Sequence, residues 1–138
     1  MRRLVRRVVT SSPGADSETL VEYRALDGGG LETGSLARTS LDSGDYIVRT
    51  ITQVDPLGRQ TLLRSDRGDD GSFELITATS YGENTETRVV TNGGNVTTTT
   101  LTRDAFGNVV SLVTNGPGIT QETFTIFSED GTRPLQST

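Results

Sequence analysis

Along this chain the apolar positions come in short runs separated by glycine-rich breaks, and no stretch keeps the 3.6-residue period of an amphipathic helix over three turns. The runs have strand chemistry: YIVRTITQV at 46–54, SFELITATSY at 72–81, NVTTTTLT at 95–102 and ITQETFTIF at 119–127. Their partners across the shorter gaps are SLARTSL at 35–41, RQTLLRS at 59–65, ENTETRVV at 83–90 and NVVSLVT at 108–114. β-Branched and aromatic residues dominate these segments, and several alternate polar with apolar, as half-buried strands do. In ITQETFTIF the alternation holds only in part. The pattern predicts an all-β chain, an array of antiparallel β-hairpins that forms part of a coiled sheet or shell, or of a stacked β assembly.

The breaks are periodic. Glycines at 34, 58, 82, 107 and 131 are separated by 24, 24, 25 and 24 residues, the sequence signature of a repeat architecture. Their surroundings are alike: VDPLGRQ at 54–60, RDAFGNV at 103–109 and SEDGTRP at 128–134. Asp55 and Asp104 each stand three residues before their glycine. An aspartate closes a turn through its side chain and a glycine adopts positive φ without steric cost, so Asp-x-x-Gly describes a tight turn. The repeat-turn residues are therefore Asp55, Gly58, Arg59, Gly82, Asp104, Gly107 and Gly131.

A second glycine set follows at Gly44, at Gly68 with Gly71, at Gly93 with Gly94 and at Gly116 with Gly118, so each repeat of about 24 residues holds two turns. The first thirty residues fit less well. RLVRRVV and ETLVEYRAL predict a hairpin around Ser11 to Ala15, with the next turn at Asp27 to Gly30. Residues 1–30 thus read as a degenerate leading hairpin and 31–138 as the repeats.

Composition narrows the function. At 138 residues, 31% of them hydrophobic and 5% aromatic, the chain has the length of one domain but not the apolar content of a thick core. Disorder is the rival explanation of such a composition, but Val, Ile, Thr and Leu are clustered into runs. The net charge is −5 and every basic residue is arginine, which gives no broad positive field for a phosphate backbone. Nucleic acid is not an expected partner. Arg2, Arg3, Arg6 and Arg7 in MRRLVRRVV are a local exception, read either as a basic arm or as the solvated positions of a first strand. No apolar stretch of signal-peptide length follows them and no membrane span is expected.

The chain has no cysteine and no histidine. That removes the usual zinc sites, Ser-His-Asp and Cys-His nucleophiles, and imidazole acid-base chemistry. Carboxylates, arginines, hydroxyls and three tyrosines remain, and neither a catalytic residue, a cofactor nor a metal is expected.

VDPLGRQ, RDAFGNVVSLVT and SEDGTRPLQST resemble the tyrosine-aspartate (YD) repeats of Rhs proteins and teneurins, whose unit reads approximately Tyr-Asp-x-x-Gly-Arg followed by apolar residues. Asp55, Gly58 and Arg59 match one unit; Asp104 and Gly107 match another with Asn108 in the arginine place; Gly131 and Arg133 match a third with a one-residue displacement. The tyrosine is replaced by Val54 and Arg103. The resemblance covers roughly residues 20–138. It implies an extracellular or cell-surface scaffold whose antiparallel sheet coils into a shell of many more units, enclosing a toxin domain or contributing to an adhesion ectodomain. The expected partners are copies of the chain itself, the remainder of a longer repeat polypeptide, an enclosed toxin or a surface glycan. A carbohydrate- or protein-binding β module is the alternative reading.

Four other motifs have plainer readings. Asp55-Pro56 resembles the Asp-Pro of an Rhs self-cleavage motif, but Gly58 is in register with the repeat glycines and the partner motif is missing. SDRGDDG at 65–71 clusters Asp66, Asp69 and Asp70 without the alternating ligands of a calcium loop; a solvated turn explains it, and the embedded Arg67-Gly68-Asp69 is short enough to arise by chance. Asn95-Val96-Thr97 is an N-glycosylation pattern, but a strand start after Gly94 explains it better. Glu83 with Glu86, or Glu129 with Asp130, would need a defined separation to serve as a glycosidase pair, and surface charge explains them better.

Overall fold

A computed structural model describes residues 3–12, 15–41 and 44–138. Every regular element is a β-strand and consecutive paired strands are antiparallel. The predicted hairpin array is the observed architecture. It divides into two compact units, Met1–Ile76 and Thr77–Thr138. The boundary drawn at residue 30 falls at the end of a turn, and strand pairing continues directly across it.

The first unit contains β1 (Arg3–Ser12), β2 (Ala15–Ala25), β3 (Leu31–Leu41), β4 (Gly44–Val54) and β5 (Gln60–Arg67). β2 pairs with β3, and β3 with β4, over eleven residues each without a register shift. The turn anticipated around Ser11 to Ala15 falls on Pro13 and Gly14, outside the described residues, as does Arg2 of the basic arm. β6 (Leu75–Tyr81) spans the division. It starts later than the sequence run, because Ser72, Phe73 and Glu74 belong to the connection that precedes it.

The second unit contains β7 (Thr85–Asn92), β8 (Asn95–Arg103), β9 (Val109–Gly116), β10 (Ile119–Phe127) and β11 (Pro134–Ser137). Its hairpin turns follow from local chemistry. Asn92-Gly93-Gly94-Asn95 closes β7 on β8 with φ of 53° and 86° at the two glycines, the positive pair of a type I′ turn that matches strand twist. Between β9 and β10, Pro117 precedes Gly118 at φ 71°, the residue pair that favours a type II turn.

Among the described residues no apolar side chain is fully buried. Both units are single-layered within themselves, so side chains find cover mainly from their cross-strand neighbours on the same face. In the second unit these are largely threonines: Thr87 faces Thr100, Thr85 faces Thr102, and the Thr99 and Thr114 hydroxyls lie 3.3 Å apart.

Two of the periodic glycines do not hold the turn position that their spacing assigned. Gly34 lies in the middle of β3, paired with Glu22 and Ile51, and the first turn glycine is Gly29, at φ 86°. β2, β3 and β4 are each 11 residues long whereas β7 to β10 have 8 or 9, so a constant period overshoots into the strand. Gly82 does lie in a turn, between β6 and β7, but it opens that turn by donating its N–H to the Thr85 carbonyl at 2.8 Å. It is not in the left-handed region.

Candidate functional site

The recurring feature is the turn itself, built four times on one plan. Gly58 N–H donates to the Asp55 carbonyl and Asp55 N–H to the Arg59 carbonyl, both at 2.9 Å. Gly107 with Asp104 and Asp104 with Asn108 repeat these bonds, as do Gly29 with Leu26 and Leu26 with Gly30. Pro56 presets the second position of the first of these turns, and Gly58 follows at φ 78°, which is the type I turn plus left-handed residue of a three-residue hairpin loop.

The aspartate side chain completes the turn. Asp55 Oδ1 accepts from the backbone N–H groups of Leu57 and Arg59, each at 2.9 Å, and Oδ2 from the Arg59 guanidinium at 2.7 Å. Asp104 Oδ1 accepts from the N–H groups of Phe106 and Asn108 at 2.9 Å, and Oδ2 from Asn108 Nδ2 at 3.2 Å. Asn108 thus replaces Arg59 in both place and role. Desolvation alone would push these two carboxyls up, but the donors from Arg59 and Leu57, or from Asn108 and Phe106, leave both below the ordinary value.

The fourth turn explains the one-residue displacement of Gly131 and Arg133. Ser128, not Asp130, stands three residues before the glycine: Gly131 N–H donates to the Ser128 carbonyl at 2.7 Å, and the turn closes one residue later, Ser128 N–H to the Arg133 carbonyl. The Ser128 hydroxyl accepts from Arg133 N–H, as Asp55 Oδ1 does from Arg59. Asp130 is bonded by the Ser128 and Thr132 hydroxyls and Thr132 N–H, which lower its carboxyl to about 2. The spacing Ser128-x-x-Gly131, like Leu26-x-x-Gly29, was visible in the sequence; the aspartate drew attention away from it.

Three of the turns share a further device. Register slips by one residue just after each, leaving Thr61, Val110 and Leu135 without a partner in the ladder. A bulge at this place adds local twist. In the second unit adjacent turns also touch: Asn108 Nδ2 donates to the Gly131 carbonyl at 2.8 Å, and a Cβ at Gly131 would lie 2.5 Å from Phe106 Cγ. In the first unit a Cβ at Gly30 would lie 2.2 Å from the Val54 carbonyl oxygen.

The SDRGDDG segment folds on itself. Asp66, with 0% exposure, accepts from Gly71 N–H at 2.9 Å and Asp70 N–H at 3.3 Å. Asp70 accepts from Ser72 N–H at 2.8 Å. Asp69, at φ 56°, is held by Arg49, which lowers its carboxyl, and the same bond raises the Arg49 guanidinium. The Arg-Gly-Asp tripeptide therefore presents an aspartate already engaged within the chain. Asn95 of the glycosylation pattern is exposed at the start of β8.

The register also sorts side chains onto faces, which the sequence reading left undecided. Every carboxylate of β2 to β5 falls on one face: Asp16, Glu18, Glu22, Glu32, Asp45 and Asp66. Arg24, Arg38, Arg49 and Arg64 share it. Glu32, 5% exposed, accepts from Arg24 at 2.9 Å and Gln53 at 2.8 Å. At Gly34 the absent side chain leaves a shallow depression lined by Leu20, Glu22, Leu36 and Arg49. Within β2 to β5 the opposite face carries Ser, Thr, Val, Ala, Leu, Tyr and Gln with Arg67 as its one charge, and the register continues it onto β1 with Arg3 opposite Tyr23 and Arg6 opposite Val21.

Among the described residues no helix is long and apolar enough to cross a membrane. Comparison with known proteins finds no matching family model, no matching curated protein and no matching solved structure.

Proposed function

We propose that this chain is a structural scaffold: a run of YD-like β-hairpin repeats that forms a piece of a shell or a self-associating assembly at the cell surface or outside the cell. The observation that carries this reading is the repeated turn. Asp55, Asp104 and Ser128 stand at equivalent positions and are spent on closing backbone turns, so the most distinctive polar residues serve geometry. The charged groups of β2 to β5 that share a face are likewise spread along it, Glu32 bonded to Arg24 and Gln53 and Asp66 to the backbone N–H groups of Asp70 and Gly71. Repetition without a thick core suits a module whose stability comes from neighbours stacked along the array.

Edge strands support the same reading, because unpaired backbone groups at an edge template association. Electron microscopy of the purified chain over a concentration series, with light scattering alongside, tests it. Filaments or large closed particles are the expected result. A folded monomer at every concentration would remove the self-associating form, and a measured glycan or peptide affinity in that monomer would put a binding module in its place.

A further inference from the structure

We propose that Asn92 is a site of spontaneous covalent modification, converted to aspartate and isoaspartate through a cyclic imide, while Asn115, with the same following residue, is protected by the fold. The inference stands apart from the scaffold reading and does not depend on it. The chain has five asparagines, and Asn92 and Asn115 are the two followed by glycine. The reaction favours that neighbour, because the backbone nitrogen of the next residue attacks the side-chain amide and glycine leaves the approach free of a Cβ. Asn84, Asn95 and Asn108 precede Thr85, Val96 and Val109, whose stiff, branched side chains crowd the nitrogen.

The chemistry needs only water. Gly93 N forms a bond to Asn92 Cγ, the Cγ–Nδ2 bond breaks, and the side-chain nitrogen leaves as ammonia carrying the proton lost from Gly93 N–H. Water then adds to the imide. Opening the bond between Gly93 N and Cγ gives aspartate. Opening the bond between Gly93 N and the Asn92 main-chain carbonyl carbon gives isoaspartate, whose main chain runs on through Cβ and Cγ.

Exposure does not separate the two asparagines, since both are exposed. The hydrogen bonding of the attacking nitrogen does. Arg103 N–H donates to the Asn84 carbonyl at 2.8 Å, which sets the phase of the β7–β8 ladder, because bonded pairs recur at every second residue. Asn92 opposite Asn95 is in that phase. This pair closes the two-residue loop through its own N–H and carbonyl groups, and Gly93 N–H, at the first loop position, takes no part in the closure. At the β9–β10 hairpin, Phe124 exchanges bonds with Thr138 at 2.8 and 2.9 Å, so its backbone groups face β11 and its pairing with Ser111 is the non-bonded kind. Counting along that register, Gly116 opposite Ile119 is a bonded pair, and the Gly116 nitrogen donates to the Ile119 carbonyl. Asn115 in turn faces Thr98 of β8. Attack at Asn115 therefore requires a ladder bond of the nucleophile itself to break and the residue to turn away from β8. At Asn92 only the closing pair of the hairpin has to open. Isoaspartate at position 92 lengthens the main chain just before the loop, so the closure that matches strand twist is lost at that tip.

Peptide mapping by tandem mass spectrometry, on the full chain sampled over days at mildly alkaline pH, tests the proposal, with far-UV circular dichroism to verify folding. In the folded chain Asn92 should convert about tenfold faster than Asn115, the factor set by releasing one backbone hydrogen bond. In guanidinium chloride the two rates should converge, which separates protection by the fold from any difference between the flanking sequences. Asn92→Gln, which would have to form a larger ring, should remove most of the acid product of the folded chain. Equal rates in the folded chain, including no conversion at either site, would overturn the proposal. So would faster conversion at Asn115, or a difference that persists unchanged after unfolding.

Discussion

The two units use one hairpin plan but satisfy their side chains differently. In the first, long strands carry opposed arginines and carboxylates on a single face, with Glu32 and Asp66 buried by their partners. In the second, shorter strands carry threonine ladders, and the carboxyls held below their ordinary value, Asp104 and Asp130, sit at turns. A network of charges demands a fixed register, since a one-residue slip would turn each group to the other face. Threonine opposite threonine tolerates more. The comparison shows that one backbone module accepts either solution, because its closure depends on the turn and not on the strand faces.

The largest effects should come from glycines where chain segments meet. Gly30→Ala would set a Cβ 2.2 Å from the Val54 carbonyl oxygen, and a clash with backbone should cost about 3 kcal/mol. Native-state hydrogen exchange would show β2 to β5 losing protection while β7 to β10 keep theirs. Equal loss in both units would mean that they unfold as one. Gly131→Ala meets the Phe106 ring at φ 68°, costing about 2 kcal/mol; adding Phe106→Ala should recover the steric part in a urea titration.

Next come the carboxylates that close loops. Asp66→Ala leaves two N–H groups without their acceptor at a buried site, at about 2 kcal/mol. Asp104→Ala should cost less than Asp66→Ala, since water reaches the turn and can replace the lost acceptor. Comparable losses in thermal melts would contradict the difference in burial.

Acid sharpens the contrast further. Asp55, Asp69, Asp104 and Asp130 are all depressed from 3.8, Asp130 to about 2. A lowered folded-state pKa contributes stability that is present above the unfolded value and lost as pH falls through the folded one. With no histidine in the chain, melting temperature should be level from about pH 8 to 5 and fall from about pH 4 to 2. Asp130→Asn should flatten the lower end of that fall. The smallest effect is Thr99→Val, which keeps the branched shape and removes one long hydroxyl contact; a shift within about 0.5 kcal/mol is expected by urea unfolding.

The strands and the turns were legible in the sequence where the chemistry is local. Asp55-Pro56-Leu57-Gly58 and Asp104-Ala105-Phe106-Gly107 announce their geometry within four residues. Counting a fixed period was less reliable, and Gly34 shows why: strand length differs between the units, so spacing alone cannot separate a turn glycine from one inside a strand. Asn108 reaching the Gly131 carbonyl and Arg49 holding Asp69 were hidden because each joins residues separated along the chain.

By itself, then, the sequence determined an all-β chain of hairpins and the chemistry of its turns, because strand preference and turn closure are decided over a few residues. Only the tertiary structure decided which side chains share a face. That partition depends on register, and register on the length of each turn and the place of each bulge. A single bulged residue such as Thr61 or Val110 reverses the alternation that follows it, so the gathering of the carboxylates of β2 to β5 on one face exists only once the strands are paired.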